Sequence, residues 1–166
     1  YTGAQGVDIL VATLGKAFGV NGGYLVASAP IVAYLRETAP FYIYSNPITP
    51  GEAKAARRAL EIIDSPEGQR RLEHLRKLTK SFEEGLVKLG FEVIRSEHPV
   101  VPLMIRDSAR TEEIVRHLIT KGILATGLNF PVVPKGDEEI RFQVSAEHTQ
   151  ADINYVLDVL KGYQQN

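Results

Sequence analysis

The residues best suited to chemistry lie near the start of the chain, where Thr13 and Lys16 follow a short apolar run from Ile9 to Ala12. A run of this length predicts a buried strand, which would deliver both side chains to the turn that follows. Apolar surroundings favour the uncharged form of a lysine amine and make it more nucleophilic. Such an amine is suited to Schiff-base chemistry with an aldehyde cofactor. Spacing alone leaves open a solvated lysine after a strand.

Three further residues are candidates for binding anions. Ser45 and Asn46 lie in a polar turn before Pro50, where short side chains and free N–H groups at a helix N-terminus favour an anion. Arg141 lies on the polar side of a predicted strand over 139–144, and its planar guanidinium can pair both oxygens of a carboxylate. A plain Asx turn before a proline and a solvated strand arginine are the alternatives at these two places.

The elements that must position these residues alternate between strands and helices. Apolar runs predict short strands at 9–12, 24–28, 91–95, 100–106, 123–126 and 139–144, and the aromatic segment 41–47 is also β-prone. Three- and four-residue spacing and helix-start signals predict helices at 30–37, 50–63, 66–89 and 111–121, and a last one after Thr149. The pattern indicates an α/β chain. The break at Ser65-Pro66 predicts two domains, at residues 1–64 and 65–166.

Composition excludes several classes of function. The 166 residues carry 19 basic and 20 acidic side chains, so charge makes no case for nucleic acid or an anionic membrane. There is no cysteine, which excludes disulfides, thiolate metal sites and cysteine nucleophiles. The four histidines have no metal-site spacing. No apolar run approaches the roughly 20 residues that span a bilayer. We therefore expect a cytoplasmic protein with no metal site.

Two blocks of the sequence resemble a known family. Thr13-Leu-Gly-Lys16-Ala-Phe-Gly19, followed by Gly22-Gly23-Tyr24, resembles the cofactor-lysine signature of class II pyridoxal 5'-phosphate (PLP) enzymes, and most of all the α-oxoamine synthases. Phe130 to Gly136 and Ile140 to Thr149 resemble the equivalent stretch of 2-amino-3-ketobutyrate CoA ligase, also called glycine C-acetyltransferase. The blocks occur in the right order, and the resemblance covers nearly the whole chain.

The resemblance implies a fold and a role for each candidate residue. The fold would be PLP-dependent transferase fold type I: the end of the large domain, followed by the α+β small C-terminal domain. Lys16 would hold PLP covalently and move the substrate Cα proton, and Thr13 would contact the cofactor phosphate. Ser45 and Asn46 would contact the phosphate of the neighbouring subunit's cofactor, which implies a homodimer with shared active sites. Arg141 would bind the substrate α-carboxylate.

The resemblance also implies an activity. Glycine and acetyl-CoA would be joined to give 2-amino-3-ketobutyrate and CoA. A sister synthase, such as 8-amino-7-oxononanoate synthase or serine palmitoyltransferase, is the alternative among enzymes. Members of the family are longer, and the aspartate that pairs with the PLP ring nitrogen precedes their lysine, as does the aromatic residue stacked on the ring. We therefore expect a C-terminal part that is inactive alone. A non-catalytic domain with a folding or association role is the alternative of another class.

Overall fold

The computed structural model describes residues 6–163, which form two compact units. The N-terminal unit comprises residues 6–68 and the C-terminal unit residues 69–163. The outer ends of the two predicted domains, residues 1 and 166, lie outside the described residues. Within the described part of the chain, every helix is too short or too polar to cross a bilayer.

The N-terminal unit opens with a β-hairpin. Strand β1 (Ile9–Thr13) pairs antiparallel with β2 (Gly23–Ala27), so Thr13 lies opposite Gly23 at the turn end. Helices α1 (Ala29–Thr38), α2 (Pro40–Ile43) and α3 (Pro50–Ile63) follow. These bounds agree with the predicted strands and with the helices predicted at 30–37 and 50–63.

The aromatic segment after Pro40 forms a helical turn and not a strand, so its β-prone character was misleading. Pro40 occupies the first helical position, where the N–H that proline lacks would have no partner anyway. The N–H groups of Tyr42 and Ile43 both donate to the Ala39 carbonyl at 3.0 Å, and this closes the turn. The local hydrogen bonds after a proline therefore outweigh the strand propensity of the aromatic residues.

The C-terminal unit is an antiparallel sheet with helices packed on it. Strands β3 (Glu92–Val93), β4 (Val100–Met104), β5 (Thr126–Leu128) and β6 (Glu139–Gln143) lie in the order β3-β4-β6-β5. Helix α4 (Pro66–Lys88) begins just before the unit boundary. Helices α5 (Ser108–Thr120) and α6 (Gln150–Leu160) follow β4 and β6, and a 3₁₀ turn (Lys161–Tyr163) ends the described chain.

The core of this unit lies between one face of the sheet and the three helices. Strand β6 alternates as predicted, with Ile140 and Phe142 buried and Arg141 exposed between them. Phe82 of α4 meets Phe142 edge to face, with ring centroids 5.2 Å apart, which is a favourable aromatic geometry. Leu118 of α5 also has no exposed surface. This packing fixes β6 between its neighbours and turns Arg141 to the opposite face.

Several predicted elements have different bounds in the structure. The strand predicted at 100–106 ends at Met104, and the helix predicted at 111–121 begins at Ser108, after the capping residue Asp107. The strand predicted at 123–126 begins only at Thr126, because the end of α5 holds the preceding residues. Gly122 has a φ of 74°, and the Ile123 N–H donates to the Leu118 carbonyl at 2.9 Å, which is a Schellman-type helix end. The strand predicted at 91–95 is reduced to Glu92–Val93.

Candidate active site

Lys16 lies in the connection between β1 and β2. The N–H groups of Leu14 and Val20 donate to the carbonyls of Gly22 and Leu14 at 2.9 and 3.1 Å, and the Gly19 N–H donates to the Lys16 carbonyl at 3.0 Å. These bonds fold the connection into a compact turn. The Lys16 side chain is exposed, and among the described residues its ammonium has no hydrogen-bond or ion-pair partner.

The exposure of Lys16 differs from the expected desolvation. The apolar run before it does form a strand, but a two-stranded hairpin covers neither of its own faces, and Val11 is 73% exposed. The residues described around the turn therefore do not remove water from the lysine amine. They do leave that amine free to react.

Thr13 ends β1, and its hydroxyl faces the inside of the turn. Thr13 Oγ1 accepts a hydrogen bond from the Gly15 N–H at 3.1 Å and donates to the Gly22 carbonyl at 3.4 Å. The donated bond is longer than a typical O–H···O bond, so it is weak. A hydroxyl has a single hydrogen to donate, and this one can turn toward a stronger acceptor at little cost.

Two glycines allow the backbone to close tightly behind Lys16. A Cβ at Gly23 would lie 2.7 Å from the Ala12 carbonyl oxygen, across the hairpin. A Cβ at Gly22 would lie 2.2 Å from Cγ2 of Ile48, and its φ of 104° also favours glycine. Close approach therefore explains the glycines at these two positions, with a backbone oxygen near Gly23 and a side chain near Gly22. The sequence predicts the same reason for Gly19, but nothing lies within 4 Å of a Cβ added there, and its φ of 64° is what favours glycine.

The contact between Gly22 and Ile48 brings the loop before α3 against the lysine turn. This loop carries Ser45 and Asn46, both exposed. The Ser45 hydroxyl donates to the carbonyl of Phe41. The Asn46 side-chain amide has no partner among the described residues, so its N–H groups are free to donate.

A capping box occupies the N-terminus of α3 immediately after this loop. The Thr49 N–H donates to Glu52 Oε2 at 2.8 Å, and the Glu52 N–H donates to Thr49 Oγ1 at 3.3 Å. Hydrogen bonds from the Thr49 backbone and side chain, with a smaller one from Asn21, lower the pKa of Glu52. The Glu52 carboxylate thus already accepts a hydrogen bond at the N-terminus of α3. Its negative charge makes this helix end less favourable for a bound anion than the sequence suggested.

Arg141 lies in the C-terminal unit, in the middle of β6. Its backbone is opposite Pro102 of β4 and Thr126 of β5. Its Nε–H donates to Oε1 of Glu139 at 2.5 Å. The Arg141 side chain is 51% exposed, whereas the Glu139 side chain is 7% exposed.

Arg141 also lines the open cavity of this unit, which has a volume of about 910 Å³. The wall is formed by the end of β6, the start of α6 and the segment 122–126. Polar groups are contributed by Ser145, His148 and Asp152. An arginine beside an open, partly polar cavity can bind a carboxylate.

His148 has structural contacts at the entrance to α6. Its Nδ1 accepts from the Ser145 N–H at 3.1 Å, and its carbonyl oxygen lies 3.0 Å from Nε2 of His74. Thr149 next to it forms a capping box with Asp152. These contacts give His148 a structural role at the start of α6.

The candidate residues therefore fall into two groups. The N-terminal unit brings the lysine turn, with Thr13 and Lys16, against the loop of Ser45 and Asn46, and the C-terminal unit holds Arg141. Glu139, the buried partner of Arg141, was missed from the sequence. Its place two residues before Arg141 on an alternating strand could have indicated that both side chains share a face.

Comparison with known proteins assigns the chain to a family. The family of class I and II aminotransferases matches residues 2–160. The chain belongs to this family.

Relatives within the class I and II aminotransferase family include two kinds of synthase. The 8-amino-7-oxononanoate synthase of Thermosipho melanesiensis is 37% identical over 152 residues, which are 92% of this chain and 38% of that protein. The 2-amino-3-ketobutyrate coenzyme A ligase of Escherichia coli K12 is 35% identical over 153 residues, again 92% of this chain and 38% of that protein. The chain thus spans less than half the length of these curated relatives. The predicted α-oxoamine synthase family is confirmed, and the choice among its members stays a prediction.

A solved structure supports the predicted fold. A high-resolution structure of SPT with a PLP internal aldimine superposes with a TM-score of 0.89 at 24% identity, covering 97% of this chain and 41% of that chain. At this identity the likeness concerns the fold alone. The predicted fold, the C-terminal region of PLP-dependent transferase fold type I, is confirmed.

Proposed function

We propose that the full-length protein containing this chain is a PLP-dependent acyltransferase that joins an amino acid to an acyl-CoA. The supporting observation is a tight turn that carries the exposed Lys16 three residues after Thr13, in a chain whose relatives are named as a synthase and a coenzyme A ligase. The chain spans 38% of the length of those relatives, so the activity is proposed for the full-length protein.

The lysine turn fits PLP in its chemistry. The free amine of Lys16 suits the cofactor aldehyde, and Thr13 can donate its hydroxyl hydrogen to the phosphate by giving up the 3.4 Å bond to Gly22. When bound, PLP supplies an electron sink for a carbanion at the substrate Cα. Lys16 Nζ is then the proposed acceptor of the Cα proton, and Arg141 the proposed partner of the α-carboxylate.

We assign Ser45 and Asn46 to the cofactor phosphate of a neighbouring subunit, in a homodimer with shared active sites. Asn46 is the better donor of the two, because its amide is free while the Ser45 hydroxyl already donates to Phe41. We also propose that the two domains predicted from the sequence correspond to the end of the large PLP-binding domain and to the small C-terminal domain.

Glycine and acetyl-CoA are the proposed substrates, with 2-amino-3-ketobutyrate and CoA as products. The stretch from Phe130 to Gly136 supports this choice through its resemblance to 2-amino-3-ketobutyrate CoA ligase. A second candidate is 8-amino-7-oxononanoate synthase activity, which is favoured by a relative of that name at 37% identity. Product analysis with glycine and acetyl-CoA, against alanine or serine with longer thioesters, separates the candidates.

The role of Lys16 is tested by reduction with borohydride after incubation with PLP. In the full-length protein we expect a pyridoxyl group on the peptide that contains Lys16. Lys16→Ala should abolish the label at this peptide and lower kcat by at least about 10³-fold, because both attachment and proton transfer lose their amine. Lys54→Ala, an exposed lysine of α3, is the matched control and should keep both.

A label on other lysines but not on Lys16 would rule out the proposed attachment. The 166-residue chain is labelled in parallel. Labelling of the full-length protein but not of this chain would support the expectation that the chain is inactive alone. A full-length protein that binds no PLP would leave the non-catalytic alternative.

A further inference from the structure

We propose that Glu139 is a positioning residue that fixes the guanidinium of Arg141 so that its terminal nitrogens, Nη1 and Nη2, receive the substrate carboxylate end-on. The proposal rests on the proposed function, in which Arg141 binds that carboxylate. It adds a residue to the site and specifies which edge of the guanidinium is used.

The geometry of β6 places the two side chains together. Glu139 and Arg141 are two residues apart on the strand and share a face, while Ile140 between them lies in the core. The Glu139 carboxylate accepts the Nε–H of Arg141 at 2.5 Å. Glu139 is 7% exposed and Arg141 51% exposed at the side chain. The buried carboxylate is thus the fixed partner, and the arginine is the side chain that it holds.

The donors of the guanidinium then decide how a carboxylate can bind. An arginine has five N–H groups, one on Nε and two on each terminal nitrogen. A carboxylate can bind side-on, through Nε and one terminal nitrogen, or end-on, through both terminal nitrogens. Because Glu139 occupies the Nε–H of Arg141, the side-on edge is taken. The end-on edge, formed by Nη1 and Nη2, stays free, and Arg141 itself lines the open cavity.

A held arginine also binds a carboxylate at lower entropic cost. Ordering a long side chain on binding costs roughly 0.5–1.5 kcal/mol, which is about 2- to 12-fold in affinity. Glu139 orders Arg141 before the substrate arrives. The bond to Nε also keeps the Glu139 charge on the far side of the guanidinium from the end-on edge, which limits repulsion of the substrate carboxylate.

The neighbouring Glu138 provides a matched control. It is also buried, at 4% exposed, but its carboxylate accepts from the Ser108 hydroxyl at 3.1 Å and from the Gly136 N–H at 2.9 Å. Removing it disturbs the same end of β6 and leaves Arg141 with its partner. A loss caused by general loosening of the strand would therefore appear in both Glu138→Ala and Glu139→Ala.

The test uses the full-length, PLP-loaded protein and measures dissociation constants for glycine and alanine by calorimetry, with methylamine and ethylamine as probes that lack the carboxylate. We expect Glu139→Ala to weaken amino-acid binding about 3- to 10-fold, raise KM and leave kcat unchanged. Glu139→Gln should stay within about 2-fold of the parent, because its amide oxygen still accepts from Nε. Binding of the amines should not change in either variant, and Glu138→Ala should keep the parent affinity for all four probes.

Several results would overturn the role of Glu139. They are parent affinity in Glu139→Ala, an equal loss for the amines, an equal loss in Glu138→Ala, or a loss in Glu139→Gln as large as in Glu139→Ala. Arg141→Ala is measured beside them. If Arg141→Ala discriminates between glycine and methylamine as the parent does, the carboxylate role of Arg141 in the proposed function fails, and this is a separate outcome.

Discussion

The two units of the chain differ in how they are held together. The C-terminal unit encloses a hydrophobic core in which side chains such as Leu86 and Ile140 have no exposed surface. In the described part of the N-terminal unit the buried apolar side chain is Leu14, at 7% exposed, while Phe41 is 91% and Tyr44 88% exposed. One candidate group therefore lies in a packed sheet and the other in a unit without a core of its own.

The difference shows that a site can be specified locally or by tertiary packing. The N-terminal candidate residues are held by short-range features: backbone hydrogen bonds between Leu14 and Gly22 in the lysine turn, and a capping box at Thr49 that follows the loop of Ser45 and Asn46. Arg141 is positioned by β4 and β5 on either side of its strand and by the core beneath it. Short-range features need no core to form, whereas the arginine site exists only once the sheet has assembled.

Hydrogen exchange of the 166-residue chain should show the largest contrast. We expect amides in the middle of the sheet, such as those of Val101 and Ile140, to exchange at least about 10³-fold more slowly than those of Ala12 and Tyr24, which are opposite each other in the hairpin. Local opening without a core costs little, while core strands open only with the whole unit. Equal protection in the two units, measured by NMR, would contradict this contrast.

Truncation of a leucine should have unequal effects in the two units. Leu86→Ala should lower the free energy of unfolding of the C-terminal unit by about 3 kcal/mol, because it leaves a cavity beneath the sheet. Leu60→Ala, on α3 and 54% exposed, is the matched change and should cost less than about 0.5 kcal/mol. Urea unfolding of the chain, followed by circular dichroism, measures both. A cost for Leu60→Ala as large as for Leu86→Ala would show that α3 has a packed face.

Loss of the α6 cap should lower the stability of the C-terminal unit more than loss of the α3 cap does. Thr149→Ala removes the capping box of α6 and should cost about 1 kcal/mol of unfolding free energy. Thr49→Ala removes the same motif from α3, which has no buried residue, and should change the urea transition of the C-terminal unit by less than about 0.3 kcal/mol. The contrast is lost if both variants shift that transition equally.

Low pH should slightly lower the stability of the C-terminal unit, because Glu92 becomes protonated and its interaction with Arg106 is lost. The hydrogen bond and charge of Arg106 hold the pKa of Glu92 below its ordinary value of 4.5. A carboxylate with a lowered folded-state pKa stabilises the fold above the unfolded-state pKa, and the effect is lost as pH falls through the folded-state pKa. Melting temperatures between pH 6 and pH 3 should therefore fall less in Glu92→Gln than in the parent. Glu97→Gln, an exposed loop change, should follow the parent curve.

Much of the local structure could be predicted from the sequence because its causes are local. Pro50 and Thr149 marked helix starts, and both helices have a capping box in the structure. The alternation of β6 predicted that Ile140 and Phe142 are buried and that Arg141 between them is not. Each signal depends on residues within a few positions along the chain.

The wrong predictions concern segments whose structure is determined by distant residues or by competing local hydrogen bonds. The Phe41 segment was β-prone, but a proline-initiated turn formed there instead. The strand expected from Ile123 is delayed because that residue caps α5. Desolvation of Lys16 was inferred from its apolar flanks, yet a strand buries side chains only when another layer covers it. The partnership of Glu139 with Arg141 was also not foreseen.

By itself the sequence determined the family, the positions of most helices and strands, and which residues carry the candidate chemistry. These depend on motifs and on periodicity, which are properties of the chain order. The tertiary structure decided that Ile48 closes on the lysine turn, that Glu139 holds Arg141 by its Nε, and that the C-terminal unit has a core while residues 6–68 of the N-terminal unit do not form one. Packing brings together residues with no fixed spacing, so these relations could be known only once the strands and helices were in place.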